Sequence, residues 1–198
     1  QIIKEVEDLV GQGAREIILL GQNVNAYNYK EGNKEFRLSD LLKKLEEFNQ
    51  LKRVRYTTSH PKDMTDDVVH VMKKYRNICN YIHLPVQSGS SKILQKMNRG
   101  YSKEWYLKRI KSIREIIPDC AISTDIITGF CDESDEDFQE TLDLMKKVEF
   151  NFSYMFFYSE RPKTLAERKF KDNVPLEIKK SRALTISSGN PVLLRGCF

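Results

Sequence analysis

The sequence comprises 198 residues, of which 33 are basic and 28 are acidic, and its formal net charge is +5. This length suffices for one domain, or a piece of one, with a hydrophobic core. Hydrophobic residues make up 40% of the chain and charged residues 31%, as in ordinary soluble globular proteins. No apolar run approaches the length of a membrane span and no signal peptide is visible, which argues against a membrane partner.

The positive charge is mild, so it is compatible with a nucleic-acid partner without requiring one. The basic residues become denser toward the end of the chain, at Arg161, Lys163, Arg168, Lys169, Lys171, Lys179, Lys180 and Arg182. Such a run is more typical of a solvated face than of a phosphate-binding surface.

The four cysteines are Cys79, Cys120, Cys131 and Cys197. None of them forms a C-x-x-C or C-x-x-x-C pair, so the pattern contains no zinc or iron–sulfur signature and predicts no metal site within this chain. A disulfide framework is untypical of a chain of this size without secretory features. We therefore expect reduced thiols and a cytoplasmic location.

Strand and helix patterns alternate along the chain. Short β-prone runs are predicted at residues 16–20, 54–58, 81–86, 120–128 and 152–158. Helical spacing is predicted for residues 1–10, after Ser39, after Thr65, around Ile93, after Ser102 and after Ser134. Residues 29–37 are predicted to form a polar loop and residues 187–191 a turn.

This alternation predicts an α/β fold with a parallel sheet, because each crossover must return the chain across a face of the sheet. An open doubly wound sheet and an incomplete barrel have the same periodicity, so both remain possible at this point. Asp137, three residues after Ser134, completes a capping box at the start of the helix that follows the 120–128 strand.

A polar cluster follows each predicted strand. The clusters are Gln22/Asn23/Asn25, Ser59/His60, Gln87/Ser88, Thr128/Gly129 and Ser159/Arg161. Because the carboxyl ends of parallel strands lie at one edge of a sheet, these side chains are predicted to converge on a rim that holds a polar ligand.

Some of these side chains also have purely structural interpretations. His60 could act from a strand end, whereas His83 lies within a strand and is more typical of a core histidine. Asp125 is a carboxylate within an apolar strand, so it either binds ligand hydroxyls or amines or ties neighbouring strands together. The aromatic residues 154–158 are predicted to be mostly core, with one or two able to stack on a base.

Four longer segments resemble the radical-SAM methylthiotransferase family. They are LGQNVNAY at 20–27, HLPVQSGS at 83–90, MNRGY at 97–101 and TDIITGF at 124–130. Their order and spacing match over residues 1–180. The first segment resembles the branch that methylthiolates isopentenyl-adenosine beside the anticodon of tRNA, rather than the branches that act on threonylcarbamoyl-adenosine or on a ribosomal-protein aspartate.

The resemblance implies a partial (β/α)6 TIM-type barrel that binds S-adenosylmethionine at its carboxyl rim, with tRNA as a partner and a reductant protein serving the whole enzyme. By position in the family, the cofactor-binding residues would be Gln22, Asn23, Gln87, Ser88, Asp125, Ile127, Gly129 and Phe130. The residues near the substrate would be Ser59, His60, Arg99, Tyr158 and Arg161. No catalytic residue is assigned.

The sequence also departs from the family. The C-x-x-x-C-x-x-C loop that holds the [4Fe–4S] cluster is not in the chain, so we expect a truncated core that lacks the first strand and that loop, with the cluster ligands upstream of Gln1. The family's Gly-Phe-Pro-Gly-Glu turn is replaced by residues 129–133, in which Asp132 takes a glycine position that needs positive φ. Residues 181–198 form an atypical tail after a core of residues 1–180.

These departures imply that the chain alone does not perform the reaction. Two interpretations from other classes remain at this point. One is a non-catalytic module that binds S-adenosylmethionine or RNA, and the other is an inert piece of the enzyme.

Overall fold

The fold is described from a computed structural model, which covers residues 1–57 and 59–189. The chain forms two compact units. Unit 1 comprises Gln1–Leu84 and Lys111–Ala121, and unit 2 comprises Pro85–Ile110 and the chain from Ile122 onward.

Unit 1 contains a parallel strand pair flanked by helices. Its elements are α1 (Ile2–Gly11), β1 (Glu16–Leu20), β2 (Asn28–Glu31), β3 (Lys34–Arg37), α2 (Leu38–Glu46), β4 (Arg53–Thr57), α3 (Asp66–Lys74) and β5 (Tyr81–His83). Strand β1 pairs in parallel with β4, with Glu16 opposite Arg53 and Leu20 opposite Thr57. Leu42, Leu45, Val54 and Val69 are fully buried, so the apolar faces of α2, β4 and α3 supply the core of this unit.

Unit 2 is organised around a second parallel pair. The elements that lie in it wholly or mainly are α4 (Ser91–Lys96), α5 (Lys103–Ile116), β6 (Ala121–Thr128), α6 (Asp135–Val148), β7 (Phe152–Phe157), α7 (Leu165–Lys169) and α8 (Leu176–Gly189). Strand β6 pairs in parallel with β7, from Ser123 opposite Phe152 to Thr128 opposite Phe157. Ile122 and Ile126 are fully buried, as expected for a strand covered on both faces.

The predicted alternation of strands and helices is observed, and several element boundaries agree. Strand β1 covers the predicted residues, and Thr65 is the N-cap of α3. The capping box of α6 is also present, with the Ser134 hydroxyl accepting from the Asp137 N–H and the Asp137 carboxylate accepting from the Ser134 N–H. These signals are local, which is why the sequence alone could place them.

Three local predictions were wrong. Residues 29–37 are not a loop, because β2 and β3 form an antiparallel hairpin in which Tyr29 lies opposite Phe36. Ser39 lies inside α2, whose N-cap is Arg37 with Asp40 closing the capping box. The strand predicted at 81–86 ends at His83, before Pro85, which has no N–H to donate to a sheet. Helix α6 buries Thr141, Leu144, Met145 and Val148.

The end of the chain also differs from prediction. The aromatic side chains of β7 are not mostly core, since Tyr154, Phe156 and Phe157 are 45–52% exposed. Residues 187–189, predicted as the start of a turn, belong to α8, which crosses the predicted boundary at residue 180 and buries Arg182 and Ile186. The structure therefore shows no break at residue 180, and the division into core and tail stays a prediction. Thr58 and residues 190–198, with the rest of the predicted turn, lie outside the described residues.

Candidate functional site

The first two predicted polar clusters meet within unit 1. The Asn23 side chain donates from Nδ2 to Asp63 Oδ2 at 2.6 Å and accepts at Oδ1 from the His60 N–H at 3.2 Å. The His60 ring accepts at Nδ1 from the Lys62 N–H at 3.3 Å. Asn23 thus joins the turn after β1 to the turn after β4, as the rim prediction requires of these two residues.

The other two predicted residues of unit 1 differ in their surroundings. Gln22 is exposed to solvent at the turn after β1. Ser59 is 3% exposed, and its hydroxyl has no hydrogen-bond partner among the described residues. A buried hydroxyl without a partner costs free energy, so Ser59 is a position at which an additional polar group would be favourable.

Unit 2 contains a cavity of about 420 Å³ at the ends of β6 and β7, which we call cavity A. Five of the predicted site residues line it: Gln87, Asp125, Ile127, Tyr158 and Arg161. Its wall therefore combines a carboxylate, an amide, a guanidinium and an aromatic ring. The prediction that these strand ends converge is confirmed within this unit.

A second cavity of about 330 Å³, cavity B, shares Ile127 and Tyr158 with cavity A. Two further predicted residues, Arg99 and Phe130, line it. The Phe130 and Tyr158 rings meet edge to face with their centroids 4.7 Å apart. Tyr158 is therefore part of the wall between two neighbouring compartments.

Gln87 adopts an unusual backbone conformation in cavity A. Its φ is +75°, a value that costs a residue with a side chain on the order of 1–3 kcal/mol. Two hydrogen bonds to β6 hold it there, because its N–H donates to the Asp125 carbonyl and its carbonyl accepts from the Ile127 N–H, both at 2.9 Å. Strain that the fold enforces at a cavity wall is typical of a functional position.

Within unit 2, two predicted cofactor residues line neither cavity. Ser88 is fully buried, and its hydroxyl accepts from the Ser90 N–H at 3.2 Å. Gly129 has φ +69°, and a Cβ there would lie 2.2 Å from the Cγ of Lys179. Gly129 is thus required for close packing against α8.

A buried ion pair supports the loop after β6, and sequence reasoning missed it. Arg182 donates from Nη1 to Glu133 Oε2 at 2.7 Å, and the same carboxylate oxygen accepts from the Gly129 N–H at 2.6 Å. The Arg182 and Glu133 side chains are only 8% and 1% exposed. Burial raises the pKa of Glu133, although Arg182 and the Gly129 N–H oppose that shift.

Lys179 lies one turn before Arg182 on α8 and supports the end of β7. Its Nζ donates to Asp172 Oδ1 at 2.5 Å and to the Tyr158 carbonyl at 3.2 Å. The Lys179 carbonyl accepts from the Thr128 hydroxyl at 3.0 Å. Basic residues at i and i+3 were visible in the sequence, and their spacing is the signal that could have suggested a common face.

The described cysteines do not form a set suited to a metal cluster. Burial raises the pKa of the Cys120 thiol to about 12, whereas a metal ligand must be a thiolate. Within residues 1–57 and 59–189, no three His, Cys, Asp or Glu residues are grouped so that they could hold a metal ion. In the same part of the chain, no helix has both the length and the apolar character needed to cross a membrane.

Comparison with known proteins identifies relatives over most of the chain. The family profile "Radical SAM superfamily" matches residues 1–145. The tRNA-2-methylthio-N(6)-dimethylallyladenosine synthase of Porphyromonas gingivalis strain W83 is 52% identical over 181 residues, which is 91% of this chain and 39% of that protein. The protein of the same name from Azobacteroides pseudotrichonymphae is 54% identical, over 90% of this chain and 39% of that protein. The chain thus spans about two fifths of the length of these curated relatives.

Solved structures share the fold at low sequence identity. Coproporphyrinogen III oxidase from Escherichia coli, a radical SAM enzyme, has a TM-score of 0.61 and 23% identity over 77% of this chain and 35% of that chain. Methylornithine synthase has a TM-score of 0.60 and 14% identity over 95% of this chain and 52% of that chain. These neighbours, together with the parallel strands and helices, confirm the predicted fold class of a partial TIM-type α/β barrel.

Members of this superfamily use S-adenosylmethionine and [4Fe–4S] clusters, and cavity A fits the first of these. Its volume lies in the range of small-molecule sites, and Asp125 and Gln87 offer acceptors and donors for hydroxyl and amino groups. The described cysteines do not fit a [4Fe–4S] cluster, because they are not grouped as ligands and the pKa of the Cys120 thiol is raised. On its sequence match and its fold, this chain belongs to the radical SAM superfamily.

Proposed function

We propose that this chain is part of a methylthiotransferase that modifies N6-isopentenyl-adenosine in tRNA. The observation that carries the proposal is the identity of about 50% over nine tenths of the chain to curated synthases with that activity in their name. The alternative branches, and a module that only binds, are outcomes of the experiment below. We also propose that the whole enzyme is cytoplasmic and that a reductant protein supplies its electrons.

Cavity A is assigned to S-adenosylmethionine, which, when bound beside a reduced cluster, supplies radical chemistry to the enzyme. Asp125 accepts hydrogen bonds from hydroxyl or amino groups of the ligand, and the Gln87 amide donates and accepts beside it. Ile127 and Tyr158 supply apolar and aromatic contact area. For unit 1, the family resemblance alone supports Gln22 and Asn23 as cofactor-binding residues and Ser59 and His60 as residues near the substrate.

The hydrogen bonds from Gln87 to β6 and the contacts of α8 hold this cavity wall before ligand binds. Gln87 is held by two backbone hydrogen bonds, and Tyr158 by the Lys179 ammonium at its carbonyl. A wall held in this way lowers the entropy lost on binding. Arg161 lines the cavity, and we assign its guanidinium to an anionic group of cofactor or RNA.

A chimera tests the proposal. Residues 1–189 of this chain, which include the whole of α8, replace the matching segment of the Porphyromonas gingivalis synthase, and nucleosides from treated tRNA are analysed by mass spectrometry. We expect 2-methylthio-N6-isopentenyl-adenosine to form, and Asp125→Asn to lower the rate about 10-fold or more, because hydrogen bonds to a charged acceptor would be lost. Modification of threonylcarbamoyl-adenosine or of a ribosomal protein instead would assign the chain to another branch. Binding of S-adenosylmethionine and tRNA without product would identify a binding module.

A further inference from the structure

The segment that follows Gln87 is held from two sides. On one side, the backbone of Gln87 is bonded to Asp125 and Ile127 of β6, as described above. On the other side lies α6, because the Gly89 N–H donates to Thr141 Oγ1 at 2.9 Å. Residues 87–90 are all buried. These contacts therefore lie in a low-dielectric environment, in which a donor that lost its acceptor would be costly.

Thr141 is oriented to accept this hydrogen bond. Its own hydroxyl donates to the Asp137 carbonyl at 3.2 Å, one turn earlier in α6, so its proton is directed away from the loop. A hydroxyl has one proton and two lone pairs, which leaves the Thr141 oxygen as the acceptor for Gly89. Thr141 is only 2% exposed. The interior of the protein thus fixes the role of this side chain.

A second link and a close approach strengthen the contact between the loop and α6. The Ser90 hydroxyl donates to Asp137 Oδ1 at 2.7 Å. A Cβ at Gly89 would overlap the backbone of Thr141 and lie 2.5 Å from the Glu140 carbonyl oxygen. The loop and the helix therefore pack backbone against backbone, and two hydrogen bonds one helical turn apart hold them in register.

This packing bears on the strained conformation of Gln87. A residue with a side chain keeps positive φ only where its surroundings hold it. Fixing Gly89 and Ser90 to α6 removes the freedom that relaxation of Gln87 would need. Gln87 lines cavity A, whereas none of the described residues 135–148 of α6 does. The shape of the cavity wall therefore depends on a helix that does not reach the cavity.

We propose that Thr141 is a positioning residue for the S-adenosylmethionine site and acts through Gly89 to hold Gln87 in its place in the wall of cavity A. This inference rests on the proposed function, which assigns cavity A to that cofactor, and adds a residue that does not touch the ligand. Ser88 belongs to the same support, since its hydroxyl accepts from the Ser90 N–H and lies 3.4 Å from Thr141 Oγ1. A supported wall binds its ligand more tightly because less freedom is lost on binding.

Hydrogen exchange in the full chain, followed by NMR without ligand, tests the support itself. Thr141→Val keeps the shape of the side chain but removes its oxygen, whereas Thr141→Ser keeps the oxygen. We expect Thr141→Val to accelerate exchange of the Gln87 amide about 10-fold or more, although that amide does not touch Thr141. Thr141→Ser should restore the slow exchange.

Val148→Ala is the matched control. Val148 is 1% exposed on the same helix and lies about 10 Å beyond Thr141 along its axis. This substitution destabilises α6 without removing either hydrogen bond to the loop. We expect it to change exchange equally at the amides of Gln87 and Ile122, which lies at the far end of β6, whereas Thr141→Val should act selectively on Gln87.

Equilibrium binding of S-adenosylmethionine to the chimera tests the consequence for the cofactor. We expect Thr141→Val to weaken binding about 10-fold, because the support of Gln87 is lost. Thr141→Ser should restore the affinity, and Val148→Ala should leave it unchanged. Ser90→Ala removes the second link to α6 and should weaken binding in the same way, so it provides the test if Thr141→Val does not fold.

The results separate this inference from the proposed function. Unchanged exchange at Gln87, or an affinity that Thr141→Val and Ser90→Ala leave intact, overturns the positioning role even if the chimera methylthiolates tRNA. An unsubstituted chimera that does not bind S-adenosylmethionine overturns the assignment of cavity A and this inference with it. A cofactor affinity that follows Thr141 in a chimera that forms no methylthio product supports the inference and counts against the proposed reaction.

Discussion

The pair Arg182–Glu133 makes a sharp prediction about stability and its pH dependence. Replacing Arg182 by Met keeps the length of the side chain but leaves the Glu133 carboxylate buried without its cation. Removing one partner of a buried ion pair costs about 3–5 kcal/mol. The second partner of Arg182, Asp135, is 92% exposed and adds little. For a chain of this size the loss corresponds to a decrease of about 6–20 °C in Tm.

The free energy of unfolding that Arg182→Met loses is expected to increase with pH. Burial raises the pKa of Glu133 in the folded state above its ordinary value of 4.5, with Asp137 adding to this effect and Arg182 and the Gly129 N–H opposing it. The folded state therefore keeps the proton to higher pH than the unfolded state, so the contribution of Glu133 to stability decreases as pH rises from about 4.5 through the folded pKa. Without Arg182 the folded pKa rises further, and the deficit of the variant increases with pH.

Urea unfolding at pH 5.5 and pH 8 measures this difference. We expect Arg182→Met to lose less free energy of unfolding at pH 5.5 than at pH 8. In the Glu133→Gln background the same substitution should cost less and show no pH dependence, because no carboxylate remains to be neutralised. A deficit below about 1 kcal/mol at pH 8, or an equal deficit at both pH values, would refute the reasoning.

Three further predictions use other parts of the chain. Gly129→Ala should lower the free energy of unfolding by more than about 2 kcal/mol, because its Cβ would meet Lys179, whereas Gly11→Ala, with open space around its Cβ, should not. Asp137→Asn should lower the free energy of unfolding by roughly 1–3 kcal/mol at pH 7. Burial raises the pKa of Asp137, but hydrogen bonds from Lys92 and Ser90 outweigh it and lower this pKa to about 2. In acid unfolding, the difference from the unsubstituted chain should therefore vanish as pH falls from about 4 to 2. The isolated chain, reconstituted with iron and sulfide, should show no stoichiometric [4Fe–4S] absorbance; one cluster per chain would contradict the cysteine argument.

The parts of the fold that could be predicted are those with local signals. Strand β1 is a short apolar run between polar residues, and Ser134 and Asp137 form a cap within four residues of sequence. The convergence of Gln87 and Asp125 in one cavity could also be predicted, because a parallel sheet places its strand ends at one edge.

The support from α8 could not be predicted in the same way. Lys179 and Arg182 belong to a run of basic residues that is typical of a solvated face. They are buried because Asp172 and Glu133 neutralise them, and Glu133 lies 49 residues from Arg182 in sequence. An ion pair between residues so far apart in sequence produces no periodic pattern. Composition and spacing therefore predicted a solvated face for Lys179 and Arg182, which are buried.

Asp132 shows how a departure from the family pattern can be accommodated. The backbone keeps positive φ, at +61°, which aspartate tolerates better than most residues because its short side chain can bond locally. Asn173 exchanges two hydrogen bonds with Asp132, accepting from its N–H at 2.9 Å and donating to its carboxylate at 2.5 Å, and Lys96 pairs with the second carboxylate oxygen. The contacts of the Asp132 carboxylate, which a glycine could not make, thus offset the strain. The Asp132 turn is therefore compatible with a working site.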